Sequence, residues 1–210
     1  MNLAALPGYV RGMHDWRLWR YEARRAGRHL LVAPPVLAGV LLATGLGLRG
    51  AGFTGAWLAQ SAPPLVAGLA VAAVVGGERA AELHLSLPTP LRTTLGRRLA
   101  LLGAATVLGA LILAAGLLPD AHALSRFAAL CAFGAMLGAA GAWSAAALRS
   151  TAGASTVVLA AWLAELFVLD RIFAAPAVRI VAQLVLAALF AAPASRLLAE
   201  GRGLIEGGRE

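Results

Sequence analysis

Polar residues fall into a few short bands along this chain, and long apolar blocks run between them. The blocks cover residues 30–48, 55–77, 99–118, 127–148, 153–169 and 180–195. They are continuous rather than periodic stripes, so they read as helices surrounded by lipid and not as one apolar face on a water-soluble core. About 20 residues of helix, rising about 1.5 Å each, cross a hydrocarbon layer of about 30 Å. The first four blocks meet that length and the last two fall short of it. The apolar piece 172–178, interrupted by Pro176 and bounded by Arg171 and Arg179, reads as an outer-surface or re-entrant connection, tolerable where other helices shield its backbone. The expected fold is all-α: one polytopic domain over 1–210 with six transmembrane helices and both termini on the same side.

The polar bands orient this array. With the N-terminus inside, the inner segments hold Arg11, Arg17, Arg20, Arg24, Arg25, Arg28, Arg79, Arg92, Arg97, Arg98, Arg149, Arg196, Arg202 and Arg209. The outer segments hold only Arg49, Arg126, Arg171 and Arg179. Such an excess on one side places both termini in the cytoplasm. A five- or seven-span reading would put one terminus on the wrong side of this distribution.

Residues 9–29 differ from the spans. On a helical wheel Tyr9, Gly12, Trp16, Trp19, Ala23, Ala26 and Leu30 gather on one side, and six arginines spread over the other. That pattern predicts an amphipathic helix lying in the membrane interface, with tryptophans at headgroup depth and arginines reaching lipid phosphates. No signal peptide is expected, because this arginine-rich stretch lacks an apolar h-region of the usual length. Pro34-Pro35 and Pro63-Pro64 are each expected to bend or break a span. Gly134, Gly138 and Gly141 mark a helix that close neighbours can approach.

Composition sharpens the picture. The chain is 60% hydrophobic and 13% charged, its mean hydropathy is +0.78, and its formal net charge is +8. All 18 basic residues are arginine. Without lysine there is no ordinary P-loop, whose lysine reaches the nucleotide phosphates, and no Schiff-base chemistry. Cys131 is the only cysteine, so no intrachain disulfide and no CxxC or Cys/His metal cluster is possible. His14, His29, His84 and His122 are scattered. No serine-protease pairing is supported either: Gly153-x-Ser155 lies near a loop and no histidine follows residue 122. No catalytic, cofactor-binding or metal site is expected, nor a nucleic-acid partner.

Polar residues inside the spans are few, chiefly Gln60, Ser61, Thr106, Ser144, Glu165 and Gln183. Glu165 carries most information, because a carboxyl within a span is unfavourable by a few kcal/mol unless paired, protonated or hydrated. Two readings stand: a structural partner for an outer arginine or a neutral hydrogen-bonded acid, or part of a substrate cavity with Gln60 and Gln183.

The long inner loop between the second and third blocks has its own pattern. Residues 78–87 offer a short helix with Glu78 and Glu82 early, where acids complement the helix dipole, and an apolar edge of Ala80, Leu83 and Leu87. Pro88 and Pro90 end it, and Thr89-Pro90 is a plausible start for a long third helix reaching below the membrane. A short helix with an apolar edge held away from the bilayer suits docking on a soluble partner.

Glu78-Arg79, Glu82-Leu83, Leu85-Ser86-Leu87-Pro88, Arg92 and Leu95-Gly96-Arg97 resemble the inner loop of ABC type-2 exporter permeases. Arg97 stands where lysine is common, and His84 where an aliphatic residue is usual. The resemblance implies a membrane-spanning permease subunit in a bacterial cell (inner) membrane, exporting an amphipathic or hydrophobic substrate. It implies pairing with a second permease chain, identical or different. It implies a coupling helix, 78–88, whose Glu78, Arg79, Glu82, Leu83, Leu85, Leu87 and Pro88 seat in a separate ABC ATPase subunit. ATP and magnesium would be bound by that ATPase and not by this chain. A secondary transporter or channel, and a non-transporting anchor that recruits an ATPase, are the alternatives.

Overall fold

The computed structural model describes residues 19–24, 27–44, 53–77, 91–116, 122–173 and 175–206, and these are helical almost throughout. Six long helices follow one another: α1 (Arg28–Thr44), α2 (Phe53–Gly76), α3 (Leu91–Ala115), α4 (Ala123–Leu148), α5 (Thr151–Ala164) and α6 (Pro176–Glu206). A π-helical turn, Glu165–Leu169, and a last short turn, Asp170–Ile172, prolong α5. Among the described residues, four stretches are long and apolar enough to cross a membrane: Thr93–Ala115, Ala123–Leu148, Thr151–Leu169 and Pro176–Leu198. Arg28–Thr44 and Gln60–Gly76 are apolar but shorter.

The helices alternate in direction. One core cluster joins Leu30 and Leu31 at the start of α1, Val74 at the end of α2, Leu95 early in α3, Trp143 late in α4 and Leu198 in α6. Another joins Leu41 near the end of α1, Leu113 near the end of α3 and Leu130 early in α4. The start of α1 and the far part of α6 therefore share one end of the bundle. That end carries Arg20, Arg24, Arg28, Arg97, Arg98, Arg149 and Arg196, whereas Arg126, Arg171 and Arg179 lie toward the other.

Helix α4 is the centre, packed most extensively on α6 and α2 and also touching α3 and α5. Its buried face combines small residues, Ala132, Ala140, Gly141, Ser144 and Ala145, with Phe133, Met136 and Leu137. Many large apolar side chains also point outward: Val32, Val36 and Val40 on α1, Val107, Leu108 and Leu111 on α3, Val181, Leu184, Val185 and Leu189 on α6. In water this would expose far too much apolar surface, but lipid tails are as apolar as leucine, so large apolar side chains can face outward while small ones admit close helix contacts. The chain is an all-α, membrane-embedded protein.

Gly141 shows how close the central contact is. A Cβ placed there would stand 2.7 Å from the Gly68 carbonyl oxygen of α2 and 3.3 Å from the Ala72 nitrogen, both rigid backbone. At Gly138, one turn earlier, a Cβ would meet only Val71 Cγ2 at 3.7 Å, an ordinary contact. Gly141→Ala is therefore expected to destabilise the bundle by about 1–3 kcal/mol through overpacking. Gly138→Ala should be close to neutral. Thermal unfolding of the two variants in one detergent checks the contrast.

Several sequence expectations need correction. Of the two outcomes expected of the proline pairs, a bend or a break, only the break is ruled out, because Pro34-Pro35 lie inside α1 and Pro63-Pro64 inside α2. Opposite Pro34, α3 presents Gly109, where a Cβ would come within 3.2 Å of the Pro34 carbonyl oxygen, so the proline turn fits against bare backbone. The connection expected over 172–178 is shorter than that. The chain leaves the helix at Phe173, and Pro176 is the first residue of α6, a position where its missing N–H goes unmissed. Helix α6 has 31 residues, about 46 Å by helical rise, so it exceeds a bilayer core instead of falling short of one. The helix expected over 9–29 is not continuous either. Helix covers 19–24, and Gly27, at φ +88°, separates it from α1. That left-handed conformation is readily available only to glycine. Residues 9–18 lie outside the described residues.

Between α4 and α5 the link is minimal. Arg149 adopts a left-handed conformation (φ 48°, ψ 30°), and its N–H donates to the Ala145 carbonyl, closing α4. The next residue, Ser150, is extended, and its side-chain oxygen accepts from the Gly153 N–H at 3.3 Å as the N-cap of α5. Two residues reverse the chain.

Candidate functional site

Within a bundle this apolar, the buried polar groups mark where function can reside, and they gather in two places. The first lies where α5 gives way to its π-helical turn. Glu165 opens that turn, its backbone N–H shared between the carbonyls of Ala161 and Trp162. A π turn admits one extra residue per turn and recurs at functional sites in helices. The Glu165 side chain is 2% exposed, and Gln183 of α6, also 2% exposed, donates from Nε2 to its Oε1 at 2.6 Å. Gln183 Oε1 is itself buried with no hydrogen-bond partner among the described residues, leaving an acceptor for one more donor.

One helical turn before Glu165, Trp162 donates from Nε1 to Ser61 Oγ of α2 at 3.1 Å. Three helices thus send polar groups to one level of the bundle: Ser61 from α2, Trp162 and Glu165 from α5, Gln183 from α6. Gln60 is half-buried in the same turn of α2 as Ser61. Thr106 and Ser144 stand apart from this cluster: each hydroxyl donates to the carbonyl four residues back, Leu102 at 2.8 Å and Ala140 at 2.7 Å. Those bonds satisfy the hydroxyls inside their own helices.

Of the three residues expected to line a cavity, the structure joins Glu165 and Gln183 directly. The bond to the Gln183 amide agrees with a hydrogen-bonded acid, one of the structural readings the sequence left open for Glu165. Arg179, one turn before Gln183 on α6, is half-buried. The Ser61–Trp162 bond went unanticipated because its members are 101 positions apart; the available signal was an indole in mid-span, whose N–H must find an acceptor when buried.

The second polar site is at the opposite, arginine-rich end. Arg98 of α3 donates from Nε to Glu22 Oε2 at 2.8 Å, with the two side chains 5% and 9% exposed. The pair fastens segment 19–24 to the base of the bundle, and Trp19 and Ala23 are half-buried on the same side. Glu22 was the overlooked residue. It is the only acid between Asp15 and Glu78, in a stretch otherwise dominated by arginine.

The residues expected to couple to an ATPase (Glu78, Arg79, Glu82, Leu83, Leu85, Leu87 and Pro88) lie outside the described residues. What the fold supplies is their setting: they join the end of α2 to the start of α3 at the arginine-rich end. Among the described residues no group of three or more His, Cys, Asp or Glu side chains is placed to hold a metal ion. Comparison with protein-family models, with curated proteins and with solved structures finds no match to this chain.

Proposed function

We propose that this chain is the membrane-spanning permease subunit of an ATP-driven exporter, crossing a bacterial inner membrane six times with both termini in the cytoplasm. The reading rests first on the loop between α2 and α3, with its Glu78-Arg79…Glu82-Leu83…Leu85-Ser86-Leu87-Pro88 pattern. The alternating bundle supports it, because that loop and the bulk of the arginines share one end. A separate ATPase would bind ATP and magnesium, dock on residues 78–88 and drive a pair of permease chains. The polar level formed by Ser61, Trp162, Glu165 and Gln183, with Gln60 beside it, is the natural contact for the hydrogen-bonding part of an amphipathic substrate. There Gln183 Oε1 offers an acceptor.

The test is copurification. A tagged chain taken from its own membrane should bring an ATPase subunit with it, and transport in sealed vesicles should need ATP. One observation favours a second reading. A carboxyl buried beside an amide at a π turn also suits a secondary transporter driven by an ion gradient. Transport that persists without ATP and collapses with an uncoupler would select that reading over the first.

Orientation has its own check. With Cys131 replaced by alanine, cysteines at Gly52, Ala121 and Ala175 should react with an impermeant thiol reagent added outside. Cysteines at Ala5, Ser86, Thr151 and Gly207 should stay unlabelled until the membrane is opened. Labelling of Ser86 from outside would reverse the topology and remove the coupling role.

A further inference from the structure

The short helix 19–24 is held in an unusual way. Its one carboxylate, Glu22, is turned inward and neutralised against Arg98, while Arg20, Tyr21 and Arg24 point outward and are exposed. Arg28, the first residue of α1 beyond the Gly27 break, is exposed as well. Two residues from Arg20 and two from Arg24, Glu22 faces away from both on a helix. The ion pair holds it against α3, off the exposed side. What remains outside is cationic, with Tyr21, 58% exposed, set among the arginines. An aromatic ring with a polar tip prefers the depth of the lipid headgroups, and a guanidinium matches a phosphate with two parallel hydrogen bonds.

We propose that Arg20, Tyr21, Arg24 and Arg28 form a binding surface for anionic phospholipid headgroups, set in place by the buried Glu22–Arg98 ion pair. The occupant follows from charge and position. The face carries no acid among the described residues, and it lies at the end of a bundle whose outer surface is apolar, where the chain meets the headgroup layer. The surface is independent of the transport cycle proposed above, and rests only on the chain being embedded in a membrane.

The ion pair makes the proposal separable from simple attraction between a +8 chain and a negative membrane. The full-length protein is solubilised from vesicles of equal phosphatidylglycerol and phosphatidylcholine, washed stepwise, and its retained phospholipid is quantified by mass spectrometry. The wild type should retain phosphatidylglycerol preferentially, and the preference should decline as salt rises, because exposed charge contacts are screened. The triple variant Arg20→Gln, Arg24→Gln, Arg28→Gln should lose most of it, about fivefold for each arginine that reaches the headgroup layer. Arg126→Gln with Arg171→Gln, at the opposite end, should leave the preference unchanged. Glu22→Gln raises the net charge by one, so bulk attraction predicts stronger retention. The proposal predicts a fall, because the segment loses its seat, and recovery in Glu22→Gln with Arg98→Gln, where neither buried charge remains. A preference that rises in Glu22→Gln, or survives the triple variant, would overturn the proposal. So would equal retention of the two lipids, which would leave the arginine face to an acidic protein or to a second copy of the chain.

Discussion

Replacing Leu83 and Leu87 together with aspartate is expected to abolish capture of the ATPase, or to leave its ATP hydrolysis uncoupled from transport, while the chain still inserts into the membrane. No described helix is touched by the change, since both residues fall between the end of α2 and the start of α3. The effect should be large. A leucine side chain buried against a partner contributes on the order of 1.5–3 kcal/mol, and an aspartate in its place adds the desolvation of a charge. Two such changes together correspond to at least a thousandfold in affinity. The measurement is ATPase recovered per mole of tagged permease, alongside ATP-dependent transport in vesicles. Full recovery with full transport would remove the main support for the permease reading.

The second large effect is expected at Glu165. Glu165→Ala should destabilise the folded chain by about 2–4 kcal/mol, combining a cavity with a Gln183 amide deprived of its acceptor in a dry interior. Glu165→Gln keeps size and hydrogen-bonding capacity, so its unfolding temperature should stay near that of the wild type. If the polar level contacts substrate, that same variant should lower transport at least tenfold per folded complex. Normal transport by a stable Glu165→Gln protein would make the Glu165–Gln183 bond a purely structural tie between α5 and α6. The two substitutions thus separate packing from contact at one position.

How much could be read in advance depended on the range of the forces involved. The helices were legible because lipid as a solvent demands long apolar runs, and each run from residue 30 onward overlaps a helix of the described residues. The misreadings are local and have physical causes. Pro176 and Arg179 looked like interruptions, yet proline suits the first turn of a helix, so α6 begins four residues before its expected start. Gly27 was read as part of a continuous amphipathic helix, since a wheel records side chains and is blind to a backbone turning left-handed. Polar partners were the least legible. Glu165 stood out as a carboxyl within an apolar run, and Gln183 could be grouped with it as another polar residue in a span, but nothing in the sequence showed that the two bond directly. Glu22 and Arg98 are 76 residues apart, and only the docking of segment 19–24 on α3 brings them together.

The two-residue link at Arg149-Ser150 sets the kind of motion open to α5. Helices joined so tightly cannot part at that end, so any opening between α4 and α5 works like a pair of compasses pivoting on Ser150. Glu165 sits 15 residues along the free leg, about 22 Å from the pivot by helical rise. A swing of about 10°, small for packed helices, would carry the carboxyl through roughly 4 Å, enough to part it from Gln183. The stiffness of so short a turn concentrates displacement on Glu165, buried at the far end of that helix.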